Sequence, residues 1–263
     1  MDKVDIWAEN CEIRFGAIDR SDCMTLSAAF NFFQEAAISH AENLGVGREP
    51  LAGINVVWIL SRMSVQVDRR PKYCETVTVR TWPRGREKLF AIRDFDIRDA
   101  QDIPVVRARS GWIIISLDKR RPMRPQPVIE RLPLNEGMDA LPAVVGLKEY
   151  LSGIKITERR ALYNEVDYNG HVNNVSYIRW IEDAVDPVLL ENAKTMRMDI
   201  NYLSEVLPGE TVEIWMEPLK KTASLLNEAD PPSYIFAFEG KTKREQGSIF
   251  VFRAELCLWC GIY

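Results

Sequence analysis

No stretch of this chain approaches the ~20 consecutive apolar residues that a membrane-spanning helix needs, so no helical span and no stable membrane insertion are expected. The N-terminus, MDKVDIWAENCE, has no apolar signal core and is not rich in Arg and Ser, so the chain is expected to stay in the cytoplasm, where it is made. Histidine is scarce: His40 and His171 are the only two, and HExxH is absent, so no metal site is expected. GxGxxG and GxxxxGKS/T are missing, which removes the usual signatures of a nucleotide cofactor, and the absence of GxSxG removes that of an activated serine. No cofactor is expected. The five cysteines are odd in number and lack a disulfide framework, as in a reduced protein. Cys257 and Cys260 form a CxxC with no second pair and read as strand or core residues beside Trp259. A net charge of −4 gives no basic field for nucleic acid.

What is present is ordinary globular material, 46% hydrophobic and 27% charged over 263 residues, enough for two average domains or one large one. Glu12–Ala17 reads as a short strand. Ser27–Leu44 reads as a helix with an apolar stripe of Phe30, Phe33, Ala37, Ala41 and Leu44, stopped by Gly45 and Gly47. His40 reads as a surface or helix-packing residue near the polar side. Strand-like runs follow at Val56–Val67, Glu75–Trp82, Leu89–Arg98 and Val105–Leu117. Asp118–Val145, with Pro122, Pro125, Pro127, Pro133 and Pro142, reads as an extended surface linker. Then the order recurs: a strand at Ile154–Thr157, a helix from about Asn174 to Leu190 with Val175, Ile178, Val185 and Leu189 on one face, and strands at Met196–Leu203, Glu210–Met216, Ser233–Gly240 and Ile249–Trp259.

The halves can be superposed. A shift of 148 residues brings Asp19 onto Asp167, Gln34 onto Glu182, Glu35 onto Asp183 and Ala36 onto Ala184. A shift of 135 brings Arg62-Met63 onto Arg197-Met198 and Glu75-Thr76-Val77 onto Glu210-Thr211-Val212. So long a period means two tandem domains, each a long helix packed on an antiparallel sheet, an α+β class. The copies differ chemically: Asn169 falls on Ser21, His171 on Cys23 and Glu205 on Arg70.

The stretch YNEVDYNGHVNNVSYIRWIED (163–183) holds Asp167, Asn169 and His171 at alternate positions. In an extended segment these would share one side, with Gly170 allowing a bend and Asn173 or Asn174 capping the helix. On spacing alone, a turn that merely caps a helix fits as well as a site does. If it is a site, its chemistry is that of a carboxylate, an amide and an imidazole acting on water and a carbonyl.

With these residues in view, the chain resembles the fatty acyl-ACP thioesterase family over nearly its whole length. The matching stretches are FNFFQEAAISHAENLG (30–45), VWILSRMSVQVDRRP (57–71), TWPRGREKLFAIRDFDI (81–97), RARSGW (107–112) and DYNGHVNNVSYIRWIEDA (167–184), with Glu205 downstream. The resemblance implies two tandem hotdog domains: residues 1–120 binding the acyl chain, a linker at 121–150, and residues 151–263 carrying the catalytic residues. It implies hydrolysis of the thioester between a fatty acyl chain and acyl carrier protein in fatty acid biosynthesis, by a bacterial-type enzyme. Asp167, Asn169, His171 and Glu205 occupy the family's catalytic positions. Glu205 would be general base or nucleophile, His171 and Asn169 would stabilise the carbonyl oxygen, and Asp167 would orient them. Val206 stands where some members carry a Cys, against a thiol nucleophile. The acyl slot is expected near Phe30, Phe33, Val57, Trp58 and Ile59. Acyl carrier protein, which is acidic, is expected to dock on Arg69, Arg70 and Lys72 or on Lys119, Arg120, Arg121 and Arg124. The alternatives are an acyl-CoA thioesterase and a non-catalytic acyl-binding protein; the Asn-Gly-His spacing does not fit the D-x-N-P-x-H of hotdog dehydratases. Monomer and homodimer are both compatible.

Overall fold

The computed structural model describes residues 3–124, 126–150, 152–219, 231–245 and 247–260. They form two compact units, Met1–Val65 with Arg70–Val144, and Gln66–Arg69 with Val145–Tyr263. Among the described residues no helix is long and apolar enough to cross a membrane.

The first unit opens with strand β1 (Trp7–Glu12), not the expected Glu12–Ala17; Phe15–Ala17 is a single 3-10 turn. The sequence WAENCE has no apolar run, and its strand form comes from pairing with β3, Trp7 opposite Thr81 through Glu12 opposite Thr76. Helix α1 (Leu26–Asn43) starts at Thr25, whose hydroxyl accepts the Ala28 N–H at 3.1 Å. It buries Phe30, Phe33 and Ala37 of the stripe, and Gly45, at φ +70°, takes the chain out of it. A short α2 (Arg48–Ala52) leads to β2 (Val56–Val67), β3 (Thr76–Glu87), β4 (Phe90–Arg98) and β5 (Pro104–Ser116). Sheet order is β1-β3-β4-β5-β2, and Phe33 on α1 meets Phe95 on β4 at 5.0 Å between ring centroids.

His40 is a correction: it is completely buried, not near a polar side. Seven residues beyond Phe33, it falls on the same helical stripe. Arg93 Nη1 donates to its Nδ1 at 3.0 Å, so Nε2–H donates to the Val4 carbonyl at 2.8 Å, and the Trp7 ring stacks on it. Burial, and then the Arg93 charge, push its pKa down to about 4.

The stretch read as a linker carries two short elements, β6 (Arg121–Met123), paired with β5, and α3 (Gln126–Ile129). It is divided between the units at Val144. Buried charges anchor it. In the first unit the Ala140 N–H donates to Asp94 Oδ2 at 2.9 Å, Trp82 Nε1 donates to the Met138 carbonyl, and Arg109 and Arg84 pair with Asp139. Asp94 is fully buried, so burial raises its carboxyl above the usual range in spite of the Arg109 fork at 2.7 Å. In the second unit Tyr150 N–H donates to Glu239 Oε1 at 3.0 Å and Leu147 N–H to Asn201 Oδ1 at 2.8 Å.

The second unit comprises β7 (Ile154–Arg160), helices α4 (Asn174–Glu182) and α5 (Pro187–Asn192), then β8 (Ala193–Tyr202), β9 (Thr211–Pro218), β10 (Tyr234–Arg244) and β11 (Gly247–Cys260), in sheet order β8-β11-β10-β9-β7. The helix expected as one piece to Leu190 is broken. Pro187 lacks an N–H and its ring excludes the preceding turn, while Asp186 caps the new helix through the Val188 N–H at 2.9 Å. Tyr177 on α4 packs on Tyr202 and Phe252 at 5.7 and 5.5 Å between centroids. Cys257 and Cys260 are free thiols on β11, and burial pushes Cys257 up to about 12.

Two predictions follow from packing. A Cβ added at Gly240 would lie 2.2 Å from the Phe252 ring, which is fully buried. Gly240→Ala should therefore cost roughly 1–3 kcal/mol; an unchanged urea midpoint would contradict this contact. His40 takes up its proton about pH 4 when folded but near 6.5 when unfolded. The unfolded state thus binds more protons between these values, and stability is full above pH 6.5 and falls as pH drops towards 4, by about 3 kcal/mol. Urea unfolding across this range should show that loss in the parent chain but not in His40→Gln.

Candidate active site

Alternate positions bring the three polar side chains together only if 167–171 is extended, and it is not. Asp167 carboxylate Oδ1 accepts the Asn169 N–H at 2.8 Å, and the Gly170 N–H returns to the Asp167 carbonyl at 3.0 Å, with Gly170 at φ +80°. This is an Asx turn. The Asp167 N–H then bonds the His171 carbonyl at 2.8 Å and Val166 bridges Val172, so the loop is a tight hairpin. Asn173 caps α4 through the Val175 N–H at 2.8 Å.

A long-range backbone bond completes the site. The Val172 N–H donates to the Val206 carbonyl at 2.9 Å, which sets the residues before each, His171 and Glu205, beside one another. His171 Nε2 lies 3.1 Å from Glu205 Oε2, with the imidazole 34% and the carboxylate 51% exposed. Asn169 is exposed, and its Nδ2 reaches Asp167 Oδ2 at 3.4 Å. The structure thus links Asp167 with Asn169 and His171 with Glu205 across one loop junction. Beneath them Tyr177 is buried, and burial together with Glu210 and Asp167 raises its phenol.

The first unit builds the same loop. The Ser21 N–H donates to Asp19 Oδ1 at 2.9 Å, the Asp19 N–H to the Cys23 carbonyl at 3.0 Å, and the Met24 N–H to the Pro71 carbonyl at 2.8 Å. Asp22 takes the left-handed conformation, φ +62°, that Gly170 takes in the second unit. Arg70, at the position of Glu205, turns inward: Nε donates to the Met24 carbonyl at 2.9 Å, Nη1 to Ser21 Oγ at 3.3 Å and Nη2 to the Cys23 carbonyl at 3.1 Å, with an ion pair to Asp19. Burial alone would raise the Asp19 carboxyl, but hydrogen bonds from Ser21 and Arg70 bring it below the usual range. The buried Arg70 is therefore no docking cation, a correction to the first basic cluster.

The five residues expected to line an acyl slot do not share one surface. Phe30 and Phe33 are buried core under α1. Trp58 joins Val56, Leu44 and Val46 in a cluster and donates to the Val46 carbonyl at 3.0 Å. Side chains alternate along β2, so Val57 and Ile59 face away from that cluster, Ile59 being 41% exposed. Two residues at the site lay in no motif. Arg244 and Glu210 pair beside Glu205, and the only sequence signal was the match of Glu210 to Glu75 in the superposed halves. Among the described residues no group of three or more His, Cys, Asp or Glu is placed to hold a metal ion.

Models of two families match this chain: the acyl-ACP thioesterase N-terminal domain over residues 5–130 and the C-terminal domain over residues 152–246. The chloroplastic acyl-[acyl-carrier-protein] hydrolase FATB2 of Cuphea viscosissima is 27% identical over 216 residues, 76% of this chain and 52% of its own. The chloroplastic oleoyl-acyl carrier protein thioesterase 2 of Arabidopsis thaliana is 24% identical over 214 residues, 72% of this chain and 56% of its own. The chain thus spans about half the length of the curated relatives it matches. Among solved structures, an acyl-ACP thioesterase from Bacteroides thetaiotaomicron superposes with a TM-score of 0.81 at 24% identity, covering 96% of this chain and 97% of that one. The 12:0-ACP thioesterase from Umbellularia californica gives 0.80 at 20% identity, covering 97% and 98%. These likenesses show the fold, a tandem hotdog. With both domain models matched in order along it, the chain belongs to the acyl-ACP thioesterase family.

Proposed function

We propose that the chain hydrolyses fatty acyl thioesters of acyl carrier protein, in the cytoplasm, releasing the free acid and the carrier thiol. The observation that carries this is the 3.1 Å approach of His171 to Glu205 in a half-exposed loop junction of the second unit. Glu205 takes a proton from water as the water oxygen bonds to the carbonyl carbon. The tetrahedral oxyanion then collapses, the C–S bond breaks, and the leaving sulfur takes up the proton that Glu205 held, which returns Glu205 to its carboxylate form. From the sequence His171 was expected to donate to the carbonyl oxygen. In this reading His171 orients that carboxylate, a role that their 3.1 Å contact supports. Asn169, steadied by Asp167, is then the donor to the oxyanion, by its amide. The seat for the acyl tail is placed in the first unit, which lacks counterparts of Asn169, His171 and Glu205.

The carrier follows from charge. Lys119, Arg120, Arg121 and Arg124 are exposed, and Arg124 Nη2 donates to the Lys88 carbonyl at 2.7 Å, which brings the cationic Lys88 segment alongside. Such a patch fits an acidic protein carrier.

Two experiments test these assignments. Glu205→Gln and His171→Ala should each lower kcat on acyl-ACP by about 10²–10⁴-fold, with little change in melting temperature because neither side chain lies in the core; near-normal turnover in both removes the site. Replacing Arg120, Arg121 and Arg124 together by Ala should raise KM for acyl-ACP about tenfold at low salt and much less at high salt, while hydrolysis of an uncharged acyl N-acetylcysteamine thioester stays unchanged. Equal loss on both substrates argues against docking there.

A further inference from the structure

Arg244 ends β10 beside the loop that carries Glu205. Its Nε donates to Glu210 Oε1 at 2.7 Å and its Nη2 to Glu210 Oε2 at 2.9 Å, a two-pronged grip on one carboxylate. The same Nη2 donates to the main-chain carbonyl of Glu205 at 2.7 Å. Glu210 in turn accepts the Leu207 N–H at 2.8 Å, and its own N–H returns to the Leu207 carbonyl at 3.1 Å. The grip therefore spans the loop from Glu205 to Glu210 and fastens it to the end of a sheet strand.

The first unit serves as an internal control. There Glu75 closes the matching turn, its Oε2 accepting the Lys72 N–H at 2.9 Å and its N–H returning to the Lys72 carbonyl at 3.0 Å. The residue at the position of Glu205 is Arg70, whose own side chain, buried against Met24, Ser21 and Cys23, anchors that backbone. Glu205 has no such anchor available, because its side chain is spent on His171 at the surface. Its main chain must be held from elsewhere, and Arg244 holds it. The Arg244 and Glu210 side chains are only 31% and 20% exposed, so breaking the pair carries some cost in stability, and melting is read beside kcat to separate that cost from positioning.

We propose that Arg244 is a positioning residue for Glu205: it fixes the carboxylate against His171 by gripping the Glu205 carbonyl and Glu210 at once. The inference rests on the reading of Glu205 as the base. Lysine, a point donor without the planar fork, reproduces only part of the grip.

The test compares Arg244→Gln, Arg244→Lys, Glu205→Gln and Glu75→Gln by kcat and KM on acyl-ACP and by thermal melting. Arg244→Gln should lower kcat about tenfold to a hundredfold, the scale of a base displaced by about an ångström, with KM within about twofold. Arg244→Lys should recover part of that kcat. Glu75→Gln, which removes the charge from the matching turn acceptor in the first unit, should leave kcat at the parent value whatever its effect on melting. Near-normal kcat in Arg244→Gln beside an inactive Glu205→Gln overturns the positioning role alone. Loss of kcat in Arg244→Gln that merely tracks lost melting temperature, or equal loss in Glu75→Gln, also overturns it. Near-normal kcat in Glu205→Gln overturns the underlying reading, and the positioning role with it.

Discussion

A single backbone hydrogen bond, from the Val172 N–H to the Val206 carbonyl, sets which side chains meet in the candidate site of the second unit. It joins the hairpin loop before α4 to the loop after β8 and leaves the two preceding residues side by side. Without that bond an imidazole and a carboxylate 34 positions apart in the chain would have no reason to meet. The loops around it are stiff because their polar groups are used locally. Asp167 holds its own turn, Asn173 caps the helix, and Glu165 accepts from Leu162 N and Trp180 Nε1 at 2.8 and 2.6 Å. Only the outward-facing groups remain for a substrate.

The first unit makes the equivalent bond, Met24 N–H to the Pro71 carbonyl, and uses it differently. One frame thus supports two outcomes that depend on the charge at a single position. A guanidinium there finds a carboxylate, a hydroxyl and two carbonyls in the loop and folds inward. A carboxylate at the same place finds a carboxylate in the loop, is repelled, and faces outward to the imidazole. The two signs at this one position leave one sealed loop and one open one.

Buried carboxylates do structural work in both sheets. Asp94 and Glu239 are almost wholly inaccessible, and each accepts a main-chain N–H of the stretch that runs between the units as well as hydrogen bonds from an arginine. A proline-rich segment cannot satisfy its own backbone by regular pairing. Fixed anionic acceptors on the sheets do so in its place, which makes the segment part of each unit.

The duplication, the helix and sheet content and the divergence of the two copies were all legible in the sequence, because they are carried by local pattern and by residues that superpose at fixed shifts. Local pattern also misled. His40 was placed near a polar face because it is polar, although its spacing from Phe33 sets it in the core, where Arg93 and Val4 satisfy it. Asp167, Asn169 and His171 were read as alternating on an extended segment, whereas they come together through a turn. The break at Pro187 was visible and passed over. What the chain by itself determined was which copy holds the Asp, Asn, His and Glu of the candidate site. Tertiary structure alone decided that Glu205 meets His171, that Arg70 is sealed, and that Arg244 grips the Glu205 backbone. Those contacts join residues distant in sequence through single hydrogen bonds, and such bonds leave no periodicity for a sequence to display.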